Sequence, residues 1–367
     1  MEFQSVSGGQ VTIENYLKKC KLEGAFTHAA VIYGKFDLTD GECLFAVDSE
    51  GSQGWIDWLF DLASLTKTLC TGFLTFKTLG RNFLNLPLAE FLGQGKRAFP
   101  VELCDLLKGQ RIDQLLGHRS DFPAWGNLWI NRLGSVENLW ENRDNFLWSQ
   151  LNRVILTRKK LEPVYSDLGY LCLGGLLEHL SGSSLDVLFK RSVPRSVSEK
   201  VFFLPAFGNT QNRPGVEPFS VIPTGFSGLL GQSLRGIVHD ENAASLGGVA
   251  GHAGLFGTAQ GLVQLLRYFV FEDESSYFRS NAEEIGRHEN DGLLGFRMGN
   301  GISSETFAEG RSIGHLGFTG TSFYIEPESK KFVVFLSNRV INQRVNPAFG
   351  EIRRKVHGLC WNALFES

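Results

Sequence analysis

The stretch Asp61-Leu62-Ala63-Ser64-Leu65-Thr66-Lys67-Thr68 sets a serine three residues ahead of a lysine, and no other serine in the chain has a lysine at that distance. A largely apolar run follows, from Leu69 through Leu79, and ends at Gly80. If that run is a helix, Ser64 lies in its first turn, and residues three apart share a face. A hydroxyl and an amine then sit side by side on one buried surface. A serine hydroxyl is a weak nucleophile until a base activates it, so the spacing points to serine acyl transfer. Lys67 can act as that base only while neutral, and burial or a neighbouring cation lowers a lysine pKa. The alternative is a small capping serine beside a surface lysine, which a single Ser-x-x-Lys does not exclude.

Two apolar runs precede this stretch, Ala29 to Tyr33 and Cys43 to Val47. Asp37-Leu38-Thr39-Asp40-Gly41 lies between them, so they read as a hairpin. Thr12 to Leu22 reads as a capped amphipathic helix ending near Gly24. The far end mirrors this start. Ser322 to Ile325 and Phe332 to Ser337 read as strands around Pro327-Glu328-Ser329-Lys330, and a closing helix runs from about Pro347 to Phe365, weakened by Gly350 and Gly358. Strands at both ends and a helical or loop-rich middle predict an α/β (α+β) fold. One antiparallel sheet is built from both termini and flanked by helices, with a large, mainly helical insertion. The expected division is 1–85 plus 295–367 for the sheet domain and 86–294 for the insertion. The stretch from Ser192 to Gln232 is rich in Pro, Gly, Ser and Asn and reads as long surface loops over the site.

Composition narrows the function classes. The chain has 367 residues, with 43% apolar and 20% charged residues, a formal net charge of −3 and 30 phenylalanines spread along its length. That is ordinary globular composition. The absence of a basic block argues against nucleic-acid binding. No apolar run reaches the roughly 18 to 20 residues needed to span a bilayer. Met1 to Gln10 lacks the basic start and apolar core of a secretory signal. The six cysteines are scattered with no Cys-x-x-Cys, which suggests buried thiols in a reducing compartment. A cytoplasmic location is therefore expected, or a secreted or periplasmic one if a leader had been removed. The eight histidines show no paired-ligand spacing, which argues against metal hydrolysis. The expected partner is a small-molecule or peptide substrate, and oligomeric state is left open.

Two further stretches carry chemistry. In Val164-Tyr165-Ser166-Asp167-Leu168-Gly169, Tyr165 stands just ahead of a helix-like run from Leu168 to Leu180. A tyrosine there could pass a proton between the serine and a leaving group. Asp167 could bind a substrate amide or hold Lys67. A capping Asp beside a half-buried Tyr is the bland alternative. In Gly314-His315-Leu316-Gly317-Phe318-Thr319-Gly320-Thr321-Ser322, three glycines let backbone approach a ligand closely. The amides of Phe318 and Ser64 could there stabilise an oxyanion, although a tight turn at a strand start reads equally well.

With these residues in order, the chain resembles the serine β-lactamase and penicillin-binding-protein superfamily, in its class C-like, serine hydrolase and esterase branch. The three motifs of that branch are matched by Ser64-Leu65-Thr66-Lys67, Tyr165-Ser166-Asp167 and His315-Leu316-Gly317. Arg111-Ile112-Asp113-Gln114-Leu115-Leu116-Gly117-His118-Arg119-Ser120 is similar to the family's Leu-Leu-x-His-x-Ser-Gly helix. Val238 to Ala243 with Gly247 to Phe256 resembles a segment of one subgroup. The resemblance implies Ser64 as nucleophile, Lys67 as base and Tyr165 as proton shuttle. It also implies that His315 and Gly317 line the cleft, with Asp167 and Phe318 at the substrate. The implied reaction is acyl-serine formation followed by attack of water, and the resemblance implies no metal or cofactor.

Three departures bear on the substrate. Asp167 stands where many members have Asn, and an anion there raises the pKa of Lys67. Leu316 stands where Thr or Ser is common, which removes a hydroxyl that binds a carboxylate. His315 exchanges a fixed cation for one that titrates near neutrality. Weak β-lactamase activity is therefore expected, with better turnover of esters or unconventional D,D-peptide-like amides, unless Arg311, Arg339 or Arg344 restores carboxylate binding. His239 and His252 read as loop-fixing hydrogen-bond residues, with substrate contact the alternative. Gly310-Arg311-Ser312-Ile313-Gly314 matches a Gly-x-Ser-x-Gly elbow, but glycines and a β-like run follow it where a helix is required, and no Asp follows Ser312 to complete a triad. The competing reading is a catalytically retired binding or sensor protein of the same fold.

Overall fold

A computed structural model describes residues 8–37, 43–48, 57–96, 107, 109–129, 149–154, 162–205, 220–227, 232–284, 294–298, 311–342 and 346–366. In chain order the first elements are helix α1 (Gly8–Leu22), strands β1 (Ala29–Lys35), β2 (Cys43–Asp48) and β3 (Trp58–Asp61), and helix α2 (Phe73–Leu79). The middle contributes α3 (Ile112–Leu116), α4 (Asp167–Ser181), α5 (Leu185–Ser192), α6 (Arg195–Ser198), β4 (Val201–Phe203), β5 (Ser220–Val221), β6 (Gly225–Ser227) and β7 (Gln232–Leu234). It continues with α7 (Glu241–Ser245), β8 (Leu255–Gly257), α8 (Ala259–Phe271) and α9 (Tyr277–Glu283). The last part holds β9 (Arg297–Met298), β10 (Ile313–Leu316), β11 (Ser322–Ile325), β12 (Lys331–Ser337) and α10 (Phe349–Glu366).

The main sheet has the order β2-β1-β12-β11-β10-β9. Every pairing in it is antiparallel, and the two chain ends meet where Ala29 faces Ser337 and Lys35 faces Lys331. This is the expected sheet from both termini. Period-two alternation then sorts its side chains between two cores. Ala30, Ile32, Phe323, Ile325, Phe332, Val334 and Leu336 pack toward the helical middle. Ala29, Val31, Tyr33, Tyr324, Val333 and Phe335 pack toward α1 and α10. The two outer helices present matching stripes, Ile13, Leu17 and Cys20 from α1 and Val356, Cys360, Trp361 and Leu364 from α10. Burial of that stripe explains why α10 runs through Gly350 and Gly358 unbroken. Burying such side chains stabilises by roughly 1.5–3 kcal/mol each, which exceeds the ~1 kcal/mol cost of a helical glycine.

A second sheet, ordered β4-β8-β3-β5, carries the residues that lead into Ser64. It corrects the expectation of loops from Ser192 to Gln232. Within the described part of that stretch, β4 pairs with β8, β5 pairs with β3, and β6 pairs with β7 in a hairpin. Residues 38–42, in the turn read between β1 and β2, and residues 206–219 and 228–231 lie outside the described residues. Among the described residues no helix is long and apolar enough to cross a membrane. The described thiols Cys20, Cys70, Cys172 and Cys360 are buried and unpaired, while Cys43 and Cys104 fall outside the side chains described.

Candidate active site

Ser64 follows the end of β3 in a tight turn. The Leu65 amide donates to Leu62 O at 3.1 Å and the Thr66 amide to Ala63 O at 3.0 Å, so the chain turns directly into helix at Leu65. Ser64 therefore sits one residue ahead of the helix rather than inside its first turn. Ala63 takes the left-handed region at φ +47°, where a non-glycine residue is strained. The following helical stretch opens with a π-helical turn over Lys67–Gly72, all of it buried. Such turns are uncommon and concentrate at functional sites. Side chains pin it: Thr68 Oγ1 donates to Gly295 O at 2.5 Å and Thr71 Oγ1 to Gly251 O at 2.6 Å.

Lys67 is fully buried. Its Nζ donates to Ser64 Oγ at 2.8 Å and to the His252 carbonyl at 3.2 Å, and pairs with Asp167 Oδ1 at 2.7 Å. It also lies 5.0 Å from the centre of the Tyr165 ring. Burial alone would lower its pKa, but Asp167 and Tyr165 outweigh that and hold it above the ordinary lysine range. In this state Lys67 is an ammonium that donates to the serine.

Tyr165 and Asp167 are delivered by the start of α4. Ser166 caps that helix, its Oγ accepting from the Gly169 amide at 3.2 Å, and Gly182 ends it in the left-handed conformation. Asp167 is thus in the first turn, where a carboxylate is favoured by the helix dipole. The Leu-Leu-x-His segment holds this junction from below. The Ser166 amide donates to His118 Nδ1 at 3.0 Å, and the His118 ring lies 4.2 Å from that of Tyr165. Burial first, then Lys67 and Arg297, push His118 down to about 3, so it stays neutral and keeps its accepting nitrogen.

The third motif forms the end of β10 and the turn after it. Arg353 of α10 donates to Gly317 O at 2.9 Å and Thr321 O at 3.2 Å, while Thr321 Oγ1 donates to Leu62 O at 3.1 Å. The turn is thereby docked on the strand end that leads to Ser64. His315 is the sequence expectation that fails here. It is 1% exposed, lies outside the cleft wall, and its Nδ1 is 2.8 Å from the Leu316 carbonyl. Burial, Lys67 and Arg297 drive its pKa well below the usual histidine range, so it does not titrate near neutrality.

Ser64, Tyr165, Asp167, Gly317 and Phe318 meet in one cleft of about 410 Å³. The structure adds residues that motif reading missed. Arg297 and Arg353 line the cleft beside Arg339. Arg339 was among the candidate carboxylate binders; Arg311 instead pairs with Glu326, and Arg344 lies outside the described residues. Trp125 and Phe318 are 40% and 43% exposed there, an apolar edge to a charged cleft. Arg297 stacks over the Tyr165 ring at 5.2 Å and Arg339 over the Phe318 ring at 4.6 Å. No spacing in the sequence links these arginines to Ser64. Asp240 is a further wall residue, its Oδ1 2.8 Å from His252 Nε2. With Asp167 these two bring three metal-ligand atoms within 4.8 Å of one another, but the Lys67 ammonium already supplies the positive charge there. Ser312, the serine of the elbow-like match, is buried and leads into β10 rather than into a helix.

Comparison with known proteins places this geometry. The model of the beta-lactamase family matches residues 56–355. A protein of Escherichia coli (strain K12) with the provisional name D-alanyl-D-alanine carboxypeptidase is 30% identical over 84% of this chain and 74% of its own. The N-acetylmuramyl-L-alanine amidase of Bacillus subtilis (strain 168) is 28% identical over 79% and 70%. Among solved structures, the class C beta lactamase from Rhodobacter sphaeroides is similar at TM-score 0.63 and 13% identity, covering 98% of this chain and 100% of that one. The octameric penicillin-binding protein homologue from Pyrococcus abyssi is similar at TM-score 0.62 and 16% identity, over 93% and 75%. At these identities the structural likeness speaks for the fold.

Proposed function

Since the chain belongs to the beta-lactamase family, we propose that it is a serine acyl hydrolase working through an acyl-serine on Ser64. The observation that carries this reading is the 2.8 Å contact between Lys67 Nζ and Ser64 Oγ on the wall of an open cleft. Ser64 Oγ attacks an ester or amide carbonyl, and its proton passes to Lys67 in the minority neutral form of that lysine. Tyr165 hands a proton to the departing alcohol or amine and regains one from the Lys67 ammonium; water then attacks the acyl-serine, giving one proton back to Ser64 Oγ as the acid leaves. The amides of Ser64 and Phe318 serve as the oxyanion donors.

The substrate class proposed is a D,D-peptide-like amide or a carboxylic ester. The names of the relatives support the first. Arg297 and Arg339 in the cleft wall support a substrate with a carboxylate near the scissile bond. Leu316 and the buried, neutral His315 argue against efficient β-lactam turnover. A fluorophosphonate probe should add its mass to the wild type and not to Ser64→Ala. Turnover of D-alanyl-D-alanine peptides or p-nitrophenyl acetate should exceed that of nitrocefin; comparable efficiencies count against the substrate assignment.

One observation favours a second reading, a retired scaffold that binds without turnover: Lys67 is held charged by Asp167. Absence of any probe adduct on the wild type selects it.

A further inference from the structure

Asp61 is a buried carboxylate that the chemistry above does not use. It closes β3, is 1% exposed, and has no cation paired to it among the described residues. Its Oδ1 accepts the Ala63 amide at 2.9 Å and its Oδ2 accepts the His239 amide at 2.7 Å. Its own carbonyl accepts Thr319 Oγ1 at 2.7 Å. The three partners lie in three separate segments of the cleft wall. Ala63 immediately precedes Ser64 in the left-handed conformation, His239 leads to Asp240, and Thr319 follows Phe318.

We propose that Asp61 is a positioning residue for acylation: its one carboxylate locks the strained turn presenting Ser64 to the loop presenting Asp240, while its backbone holds the Phe318 turn. The proposal rests on the reading of Ser64 as nucleophile. A carboxylate suits the task because it accepts on both oxygens, whereas Asn or protonated Asp offers a donor to one of the two amides. Displacing a nucleophile by a fraction of a bond length is enough to slow attack strongly.

Such a lock depends on charge. Around Asp61 the Ser64 turn contributes an amide, the Phe318 turn contributes hydroxyls, and the 239–240 loop contributes an amide and the like charge of Asp240. Burial, only partly offset by the two amides, raises its pKa to about 7. As pH falls through that value, Asp61 gains a proton and one amide loses its acceptor.

The test compares fluorophosphonate labelling rates of wild type and Asp61→Asn against pH. The ratio cancels any titration of Lys67 or the probe. It should be near one about two units below pH 7, where protonated Asp61 resembles Asn, and rise to about tenfold a unit above. A ratio independent of pH means a purely structural role and overturns the proposal, while leaving Ser64 as nucleophile intact. No labelling of the wild type at any pH overturns the reading of Ser64 and this proposal with it. Should Asp61→Asn fail to fold, the amide proton chemical shifts of Ala63 and His239 in the wild type decide. At least one of the two should titrate with a midpoint near pH 7 as its carboxylate acceptor is protonated, and shifts that stay put across that range overturn the proposal.

Discussion

The charge on Lys67 is the residue-scale quantity on which turnover depends. Asp167 pairs with it at 2.7 Å and is the chief opponent of the desolvation that would neutralise it. Asp167→Asn should therefore lower the Lys67 pKa, and each unit of fall gives about tenfold more neutral amine at a given pH. Probe-labelling rates near neutrality should rise, with the pH dependence moved to lower pH; a fall in rate means that Asp167 itself is needed. His315→Gln should leave the pH dependence around neutrality unchanged, since burial and the nearby charges of Lys67 and Arg297 keep the imidazole neutral there. Lys67→Met should lower stability by about 1–3 kcal/mol, because it leaves the half-buried Asp167 carboxylate without its partner. Of these residues the sequence revealed identity and spacing. It did not reveal protonation, because desolvation and charge neighbours come from positions far along the chain.

Among the elements, the π-helical turn after Ser64 is the one most exposed to substitution. At Gly72 a Cβ would run into the Tyr277 hydroxyl, which donates to Thr68 O at 3.0 Å. Gly72→Ala should cost about 1–3 kcal/mol through overpacking, read as a lower urea midpoint at unchanged slope. The helix beyond Ser64, the hairpin strands β1 and β2, strands β11 and β12, and helix α10 were all legible, because long periodic runs declare their own type. The strands β3, β4, β5 and β8 were not. Each is two to four residues long. A run that short is stabilised by its partners and carries little pattern of its own.

For the whole molecule, buried histidines govern acid stability. His118 and His357 are each pushed down to about 3, chiefly by burial, and His315 is lowered for the same reason. A depressed histidine contributes stability that is complete above its unfolded pKa of about 6.5 and lost as pH falls toward the folded value. Asp61 acts oppositely, since its raised pKa makes its ionisation cost stability between about 4 and 7. The histidines outnumber it, so the melting temperature should fall continuously from about pH 6.5 to 4, with net proton uptake on unfolding. A flat melting profile across that range would show that these imidazoles are not buried neutral.

Sequence alone determined the family, the sheet assembled from both chain ends, and the candidate trio Ser64, Lys67 and Tyr165, because motif spacing and side-chain periodicity are local properties. Tertiary structure decided what those residues can do. Lys67 meets the His252 carbonyl 185 positions away, and Asp61 meets His239 and Thr319 at separations of 178 and 258. Charge state, strain and the arginine lining of the cleft arise from such contacts, since dielectric and hydrogen-bond partners belong to a place in space rather than to a place along the chain.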